Sequence, residues 1–206
     1  MAQAVESIGG VAQARAVEFE RPRVPRTIVP VAGLPIVVAV IGGMVAAIAT
    51  NTLWALDFYH VVGGGLWTAI DLFVGFVIGP IMGSLPIPAR AAFSARFMPK
   101  MSLIMPTLVT MTLGAGWQLA RHLGKLQAGG TTHGWLIASY AVVGVMAVVA
   151  LGLLEPANIA VLFEMRKERP NPAVIERLMR RFIYTAGITG LMQVATLIIM
   201  TRLATI

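Results

Sequence analysis

Apolar residues in this chain are gathered into five long runs, which short polar or basic segments separate. About 20 residues of helix cross the ~30 Å hydrocarbon layer of a bilayer, and each run reaches that length. The pattern therefore predicts an all-α, polytopic membrane helix bundle with five transmembrane helices. Their predicted ranges are Val31–Thr50, Leu53 to beyond Gly79, about Met101–Ala120, Gly134 to about Phe163 and about Phe182–Thr201.

Residues 31–206 would form this transmembrane domain, and residues 1–30 would form a polar, cytoplasmic N-terminal tail. The second and fourth predicted helices are longer than a bilayer requires. We expect them to tilt or to break at Gly79-Pro80 and Glu155-Pro156, because proline lacks the N–H group that continues a helix.

Composition favours a membrane protein over an ordinary soluble enzyme. Hydrophobic residues make up 57% of the 206 residues and charged residues only 12%, which is about half the usual charged share of a soluble domain. Cysteine is absent, and this excludes disulfides, thiolate zinc sites, iron–sulfur clusters and cysteine nucleophiles. Common motifs of kinases, hydrolases and nicotinamide dehydrogenases are also missing, so the sequence leaves open whether the protein is an enzyme.

Basic residues are distributed unequally between the two sides of the predicted bundle. The chain has 16 Lys and Arg against 9 Asp and Glu, a formal net charge of +7. All but Arg121, Lys125 and Arg202 fall in the tail or in the loops after the second and fourth helices. By the positive-inside rule, the N-terminus is expected in the cytoplasm and the C-terminus outside. No basic stripe is interleaved with aromatic residues, so no nucleic-acid partner is expected.

Aromatic residues suggest both a membrane boundary and an internal repeat. Trp54, Trp117 and Trp135 fall at predicted outer helix ends, as in an aromatic belt. A shift of 81 residues brings Trp54 onto Trp135 and Tyr59 onto Tyr140. This match predicts a 2+2 parallel repeat of two helix hairpins beside one extra N-terminal helix. Chance similarity among apolar helices is the alternative.

The second predicted helix carries the residues best suited to chemistry. At 3.6 residues per turn, one face of it presents Asp57, His60, Trp67 and Asp71, and residues 63–65 beside them are glycines. Ionisable groups within a span usually face a bundle interior or a wet cavity. The glycines allow either close helix packing or room for a flat cofactor. His60 is then either a functional residue or a side chain hydrogen-bonded to a neighbouring helix.

Two kinds of site are consistent with the histidines. Asp57, His60, His122 and His133 all lie toward the predicted outer side, and such ligands suit copper or zinc. Haem b held by histidines of facing helices is the other option, with Trp67 shaping the pocket. The alternative for His122 and His133 is that they are simply solvated.

Asp71 and Glu155 lie toward the predicted inner side. Together with His60 they would form a proton relay, because carboxyl groups and imidazoles within membranes commonly carry protons. The alternative is that the two carboxyl groups form ion pairs with Arg180 or Arg181 near the end of the bundle.

One segment of the second helix resembles a known signature. The stretch His60-Val61-Val62-Gly63-Gly64-Gly65-Leu66-Trp67-Thr68-Ala69 is similar to the His-x2-Gly-x3-Trp-x-Gly/Ala motif of copper-resistance D-type (CopD-like) membrane proteins and related predicted membrane families. The resemblance extends loosely to the C-terminus. It implies a helical bundle in a bacterial inner membrane, with copper handling or haem-linked redox chemistry. Only His60 and Trp67 carry over to motif positions.

The leading functional hypothesis is a binding protein of this kind. It would hold copper or haem at an outward-facing site around His60 and Asp57, while Asp71 relays protons.

Two other hypotheses come from different classes of protein. One is a non-catalytic structural or assembly subunit of a membrane complex, which would bind partner proteins through residues 1–30 and 164–181. The other is a proton-coupled small-solute transporter, which Asp71, Glu155 and the repeat suggest.

Overall fold

The computed structural model describes residues 30–167 and 171–206. The predicted tail, residues 1–30, therefore lies outside the described residues except for Pro30. Every regular element within the described ranges is helical, and no strand occurs in them.

Seven α-helices form the described part of the chain, together with two π-helical segments and two short 3₁₀ turns. The α-helices are α1 (Leu34–Thr50), α2 (Leu53–Phe73), α3 (Gly79–Ser84), α4 (Ile87–His122), α5 (Gly130–Val149), α6 (Glu155–Met165) and α7 (Pro172–Thr205). The first π-segment, Val74–Ile78, joins α2 to α3, and the second π-segment, Ala150–Leu154, joins α5 to α6. The 3₁₀ turns Val31–Gly33 and Lys125–Gln127 precede α1 and α5.

Five helical stretches are long and apolar enough to cross a membrane. They are Val31–Thr50, Leu53–Ser84, Ala89–His122, Gly130–Met165 and Pro172–Thr205. The prediction of an all-α, polytopic bundle is thereby confirmed, and the chain is a multi-pass membrane protein.

Two of these helices begin earlier than the sequence predicted. α4 starts at Ile87 instead of near Met101, and α7 starts at Pro172 instead of near Phe182. The basic segments expected to be loops are therefore largely helical. The reason is that apolar residues between the arginines and lysines pack into one buried cluster, which includes Ala95, Met98, Ile175 and Met179.

Local chemistry fixes the start of α7. Oδ1 of Asn171 accepts hydrogen bonds from the backbone N–H groups of Ala173 and Val174, at 3.0 and 3.4 Å. Pro172 takes the first helical position, where a missing N–H costs nothing. The backbone N–H of Asn171 donates to buried Glu164 of α6 at 3.2 Å. The cap and this contact tie the start of α7 to the end of α6.

The second and the fourth of these stretches each widen just before a proline. Pro80 and Pro156 are the second residues of the helices that follow the two π-segments. A proline ring collides with the carbonyl four residues earlier and offers it no N–H, and a wider turn relieves both problems. The helix is thus widened, and not broken, at the predicted Gly79-Pro80 and Glu155-Pro156 positions.

Four helical arms form the body of the bundle, and α1 packs on its side, where Met44 and Ala47 are buried. The arms are α2 with α3, α4, α5 with α6, and α7, while α1 packs against α2 and α4. Each half of the bundle has the same order of elements. An α-helix is followed by a π-segment, then by a shorter helix with proline as its second residue, and then by a long helix. The π-segments begin at Val74 and Ala150, an offset of 76 residues instead of the predicted 81. The order of elements therefore agrees with the predicted repeat, but the residue register at the π-segments does not.

The bundle has a tryptophan end and a basic end. Trp54 is the second residue of α2, Trp135 lies near the start of α5 and Trp117 lies near the end of α4, so all three share one end. The opposite end carries Arg90, Arg96 and Lys100 of α4 with Arg177, Arg180 and Arg181 of α7. This placement agrees with the sides to which the sequence assigned these residues.

Candidate functional site

The carboxyl group of Asp71 lies inside the bundle, between α2 and α7. The residue is 2% exposed, and its Oδ2 accepts a hydrogen bond of 2.8 Å from Nε2 of Gln193 on α7. At 1.5 Å per residue, Asp71 is ~27 Å along the helix axis from Leu53, in the half of the bundle nearer the basic end. Its partner is a neutral amide, which cannot balance the charge of an ionised carboxylate.

Two polar atoms beside this pair have no hydrogen-bond partner within the described residues. They are Oε1 of Gln193 and the indole Nε1 of Trp67, one helical turn before Asp71. The indole is near the Asp71 carboxyl but does not complete a hydrogen bond of regular geometry. We call Trp67, Asp71 and Gln193 the Asp71 centre. It presents one free donor and one free acceptor next to a carboxyl group.

This arrangement lowers the stability of the folded state. Trp67 and Gln193 are 2% and 3% exposed, and an unpaired buried polar atom costs about 1–3 kcal/mol. Apolar side chains of similar volume would pack at the same place without that cost. Stability alone therefore does not explain the Asp71 centre.

Trp67 also forms one wall of a narrow cleft between α4 and the second π-segment. The cleft has a volume of about 20 Å³, which is room for about one water molecule. We call it the Trp67 cleft, and its lining is Trp67, Met105, Pro106, Val109, Ala150, Leu151, Leu154 and Glu155. Glu155 is the one ionisable residue of this lining and is partly buried. Trp67 thus belongs both to the Asp71 centre and to a cleft that Glu155 also lines.

A second buried amide lies one turn beyond Glu155. Asn158 on α6 is fully buried, and its Nδ2 donates to Oγ of Ser102 on α4 at 2.9 Å. Its Oδ1 has no partner in the part of the chain that is described. Gln193, Asn158 and Ser102 were not predicted from the sequence, which directed attention to ionisable side chains, tryptophan and glycine. Gln193 and Asn158 could have been predicted from the sequence, because each is a lone amide side chain within an apolar helix.

His60 lies between α2 and α4, partly buried. Its Nδ1 is 2.9 Å from the backbone carbonyl oxygen of Thr112. A carbonyl only accepts, so Nδ1 carries the proton and donates it, and Nε2 is left as an acceptor. The ring lies over Gly116, where an added Cβ would collide with the imidazole. The hydrogen bond to Thr112 would hold the imidazole in place whether His60 binds a metal or only packs between the helices. It therefore agrees with both predicted roles of His60.

The three glycines beside His60 differ in their surroundings. A Cβ on Gly63 would collide with Thr112 and Met111 of α4, so the absent side chain permits close packing there. Gly65 has nothing within reach of an added Cβ. Helix packing, one of the two predicted roles, accounts for Gly63 but not for Gly65.

The remaining predicted ligands and partners are dispersed. Asp57, His122 and His133 are exposed. Across residues 30–167 and 171–206, no group of three or more His, Cys, Asp or Glu side chains could hold a metal ion. Arg180, a predicted alternative partner of the inner carboxyl groups, instead pairs with Glu176 at 3.3 Å.

No protein-family model matches the chain, and no curated protein or solved structure matches it significantly. The resemblance to copper-resistance D-type proteins therefore stays a prediction.

Proposed function

We propose that this protein carries out proton-linked transport across a membrane, with Asp71 as the group that takes up and releases the proton. The observation that supports this most strongly is the Asp71 centre itself. A carboxyl group is enclosed in the bundle, its partner is a neutral amide, and an unpaired donor and an unpaired acceptor flank it.

A proton-binding role explains why a carboxyl group with unpaired polar neighbours is buried here, which a contribution to folding stability does not explain. Away from water, a carboxyl group is far easier to keep in its neutral form than in its charged form. The Gln193 amide and the Trp67 indole can hydrogen-bond to an ionised carboxylate for the short time that it is unprotonated. Ionisable groups that persist within membrane spans typically mark proton or solute pathways.

The Trp67 cleft gives the proton a route toward the basic end. Glu155 belongs to that cleft, follows the second π-segment directly and is only partly buried. Protons would pass between Asp71 and Glu155 past Trp67, which belongs to the Asp71 centre and lines the cleft together with Glu155. The positive-inside rule orients this route, with the basic end in the cytoplasm of a bacterium and the tryptophan end outside its inner membrane.

Proton flux in liposomes tests this proposal. The full chain would be reconstituted with a trapped pH-sensitive dye, and a potential would be applied across the membrane. We expect dye-reported proton flux that Asp71→Asn lowers at least about 100-fold, since an amide cannot carry a proton. Glu176→Gln is the matched control, because Glu176 is a partly exposed carboxylate at the basic end. Equal flux in Asp71→Asn and wild type would contradict the proposal.

His60 supports a second candidate function, the binding of copper or haem b. Metal-ligating histidines usually donate one ring N–H to a carbonyl or carboxylate, as His60 does to Thr112, and bind the metal with the other nitrogen. Absorption spectra and metal analysis of protein from copper- and haem-supplied cells test this. We expect the bound species to be lost in His60→Ala and kept in His133→Ala. Purified wild-type protein with neither copper nor haem would exclude the candidate.

A further inference from the structure

Asn158 has the same incomplete hydrogen bonding as Gln193 of the Asp71 centre. Its side chain is fully buried on α6, and its Nδ2 donates to Oγ of Ser102 on α4. Its Oδ1, like Oε1 of Gln193, has no partner among the residues that the structure describes. An apolar side chain of similar volume would pack at this position without leaving an acceptor unpaired. Packing between α4 and α6 therefore does not explain why an amide is placed here.

A carboxyl group lies beside this amide as well. Glu155 precedes Asn158 by three residues, so the two side chains share a face of α6 and lie close enough to interact. Glu155 is partly buried, and across the described ranges it forms no ion pair with a lysine or an arginine. As at Asp71, the polar neighbour of the carboxyl group is thus a neutral amide.

An amide can serve a carboxyl group in both of its protonation states. An ionised carboxylate only accepts hydrogen bonds, whereas the protonated form also carries an O–H donor. One N–H of the Asn158 amide is used by Ser102, which leaves the second N–H for the Glu155 carboxylate. The unpaired Oδ1 is an acceptor for the O–H of protonated Glu155. The acceptor that lacks a partner is therefore the one required when Glu155 binds a proton.

The two buried amides occupy equivalent places in the halves of the bundle. The hydrogen bond of Gln193 to Asp71 joins the fourth helical arm to the first. The hydrogen bond of Asn158 to Ser102 joins the third arm to the second. Exchange of the two halves of the predicted repeat turns one of these arm pairs into the other. Asp71 lies three residues before the first π-segment, and Glu155 directly follows the second. Each half therefore holds one carboxyl group and one buried amide at a packed interface between arms.

We propose that Asn158, held by Ser102, positions Glu155 for proton uptake and release. This inference rests on the proposed function, because it names the residue that controls the second carboxyl group of the proton route. On uptake, a proton bonds to a carboxylate oxygen of Glu155, and the new O–H donates to Oδ1 of Asn158. On release, that O–H bond breaks, the proton leaves toward Asp71 or toward water at the basic end, and the carboxylate accepts from Nδ2. The site changes by one charge, and no group is oxidised or reduced.

Infrared titration of the purified full-length protein tests the proposal. The carboxylic-acid C=O band of Glu155 is the one that Glu155→Gln removes. In Asn158→Leu we expect this band to move to higher frequency, because the protonated carboxyl group loses its hydrogen-bond partner, and its pH midpoint to shift by at least about one unit. Ser102→Ala, which frees the amide without removing it, should shift the midpoint in the same direction by less. Leu162→Ala is the control for packing, because Leu162 is 1% exposed, one turn after Asn158, and has no polar atom to lose. It should leave both the frequency and the midpoint unchanged.

Three results would overturn the role of Asn158. They are an unchanged Glu155 band in both Asn158→Leu and Ser102→Ala, an equal shift in Leu162→Ala, and a Glu155 carboxyl group that does not titrate while the protein stays folded. Proton flux that depends on Asp71 would still support the proposed transport in each of these cases. A Glu155 band that responds to Asn158, in a protein without proton flux, would contradict only the proposed transport.

Discussion

At the scale of single residues, the molecule is defined by one carboxyl group and its neighbours. Asp71 is buried with Gln193 as its hydrogen-bond partner, while Trp67 and Gln193 each keep one polar atom unpaired in the described structure. Buried polar groups are normally satisfied. A site in which two neighbouring side chains depart from this rule beside a buried carboxyl group is more consistent with a changing protonation state than with a purely structural role.

The hydrogen bond between Asp71 and Gln193 should contribute measurably to the free energy of unfolding. Asp71→Leu and Gln193→Leu each leave a buried partner unsatisfied, and we expect each to lower the free energy of unfolding by about 1–3 kcal/mol. The double variant should lose less than the sum, by about 0.5–2 kcal/mol, because neither partner is then orphaned. Unfolding followed by circular dichroism in detergent measures all four proteins. Strictly additive losses would show that the two side chains are not coupled.

Sequence reasoning found Asp71 and Trp67 but not their partner. A charged residue within an apolar run is conspicuous, and helical periodicity places Asp71 on the same face as Trp67 and His60. Gln193 lies 122 positions away in the chain from Asp71, and no local pattern links the two. The amide partner depends on which helices pack together, which neither hydropathy nor charge specifies.

At the scale of elements, the two π-segments distinguish the halves of the bundle. Both precede prolines and both contact α7, yet only the first has a glycine packed on the backbone of that helix: Gly75 lies against Gly187, whereas an added Cβ on Gly152 would meet nothing. Pro80 and Pro156 were visible in the sequence and mark the two π-segments, whereas Pro99 and Pro106 lie inside α4 without one. Whether a proline breaks a helix or only widens it depends on the packing around it, which the sequence does not display.

A matched pair of glycine substitutions tests this difference. A Cβ on Gly75 would overlap the backbone of Gly187, so we expect Gly75→Ala to destabilise the protein by about 1–3 kcal/mol. Gly152→Ala, in the second π-segment, meets open space and should be neutral or stabilising by up to about 1 kcal/mol. Thermal unfolding in detergent compares them. Similar destabilisation by both substitutions would show that the second π-segment is packed as tightly as the first.

At the scale of the whole molecule, the unequal distribution of basic residues distinguishes the two ends of the bundle. Most lysines and arginines of the described residues gather at the basic end and three of the four tryptophans at the other, and the helical arms between them are long enough to span a bilayer. The number of spans and the two ends follow from composition along the chain. The extension of α4 and α7 past the predicted boundaries did not follow from it, because basic residues signal the end of a membrane span but not the end of a helix.

Cysteine labelling measures the orientation directly, because the chain contains no cysteine of its own. Gln127→Cys places a thiol at the tryptophan end, and Ser84→Cys places one at the basic end, both at exposed positions. With a membrane-impermeant maleimide, we expect intact cells to label only Gln127→Cys and permeabilised cells to label both. Labelling of Ser84→Cys alone in intact cells would reverse the proposed orientation.

The most direct test of the account is infrared titration of Asp71 in the purified full-length protein. We expect a carboxylic-acid C=O band that appears and disappears with pH, is absent in Asp71→Asn, and changes frequency in Gln193→Leu because a hydrogen bond is lost. If no band that depends on Asp71 changes over the whole pH range in which the protein stays folded, Asp71 does not exchange protons and the central claim is wrong.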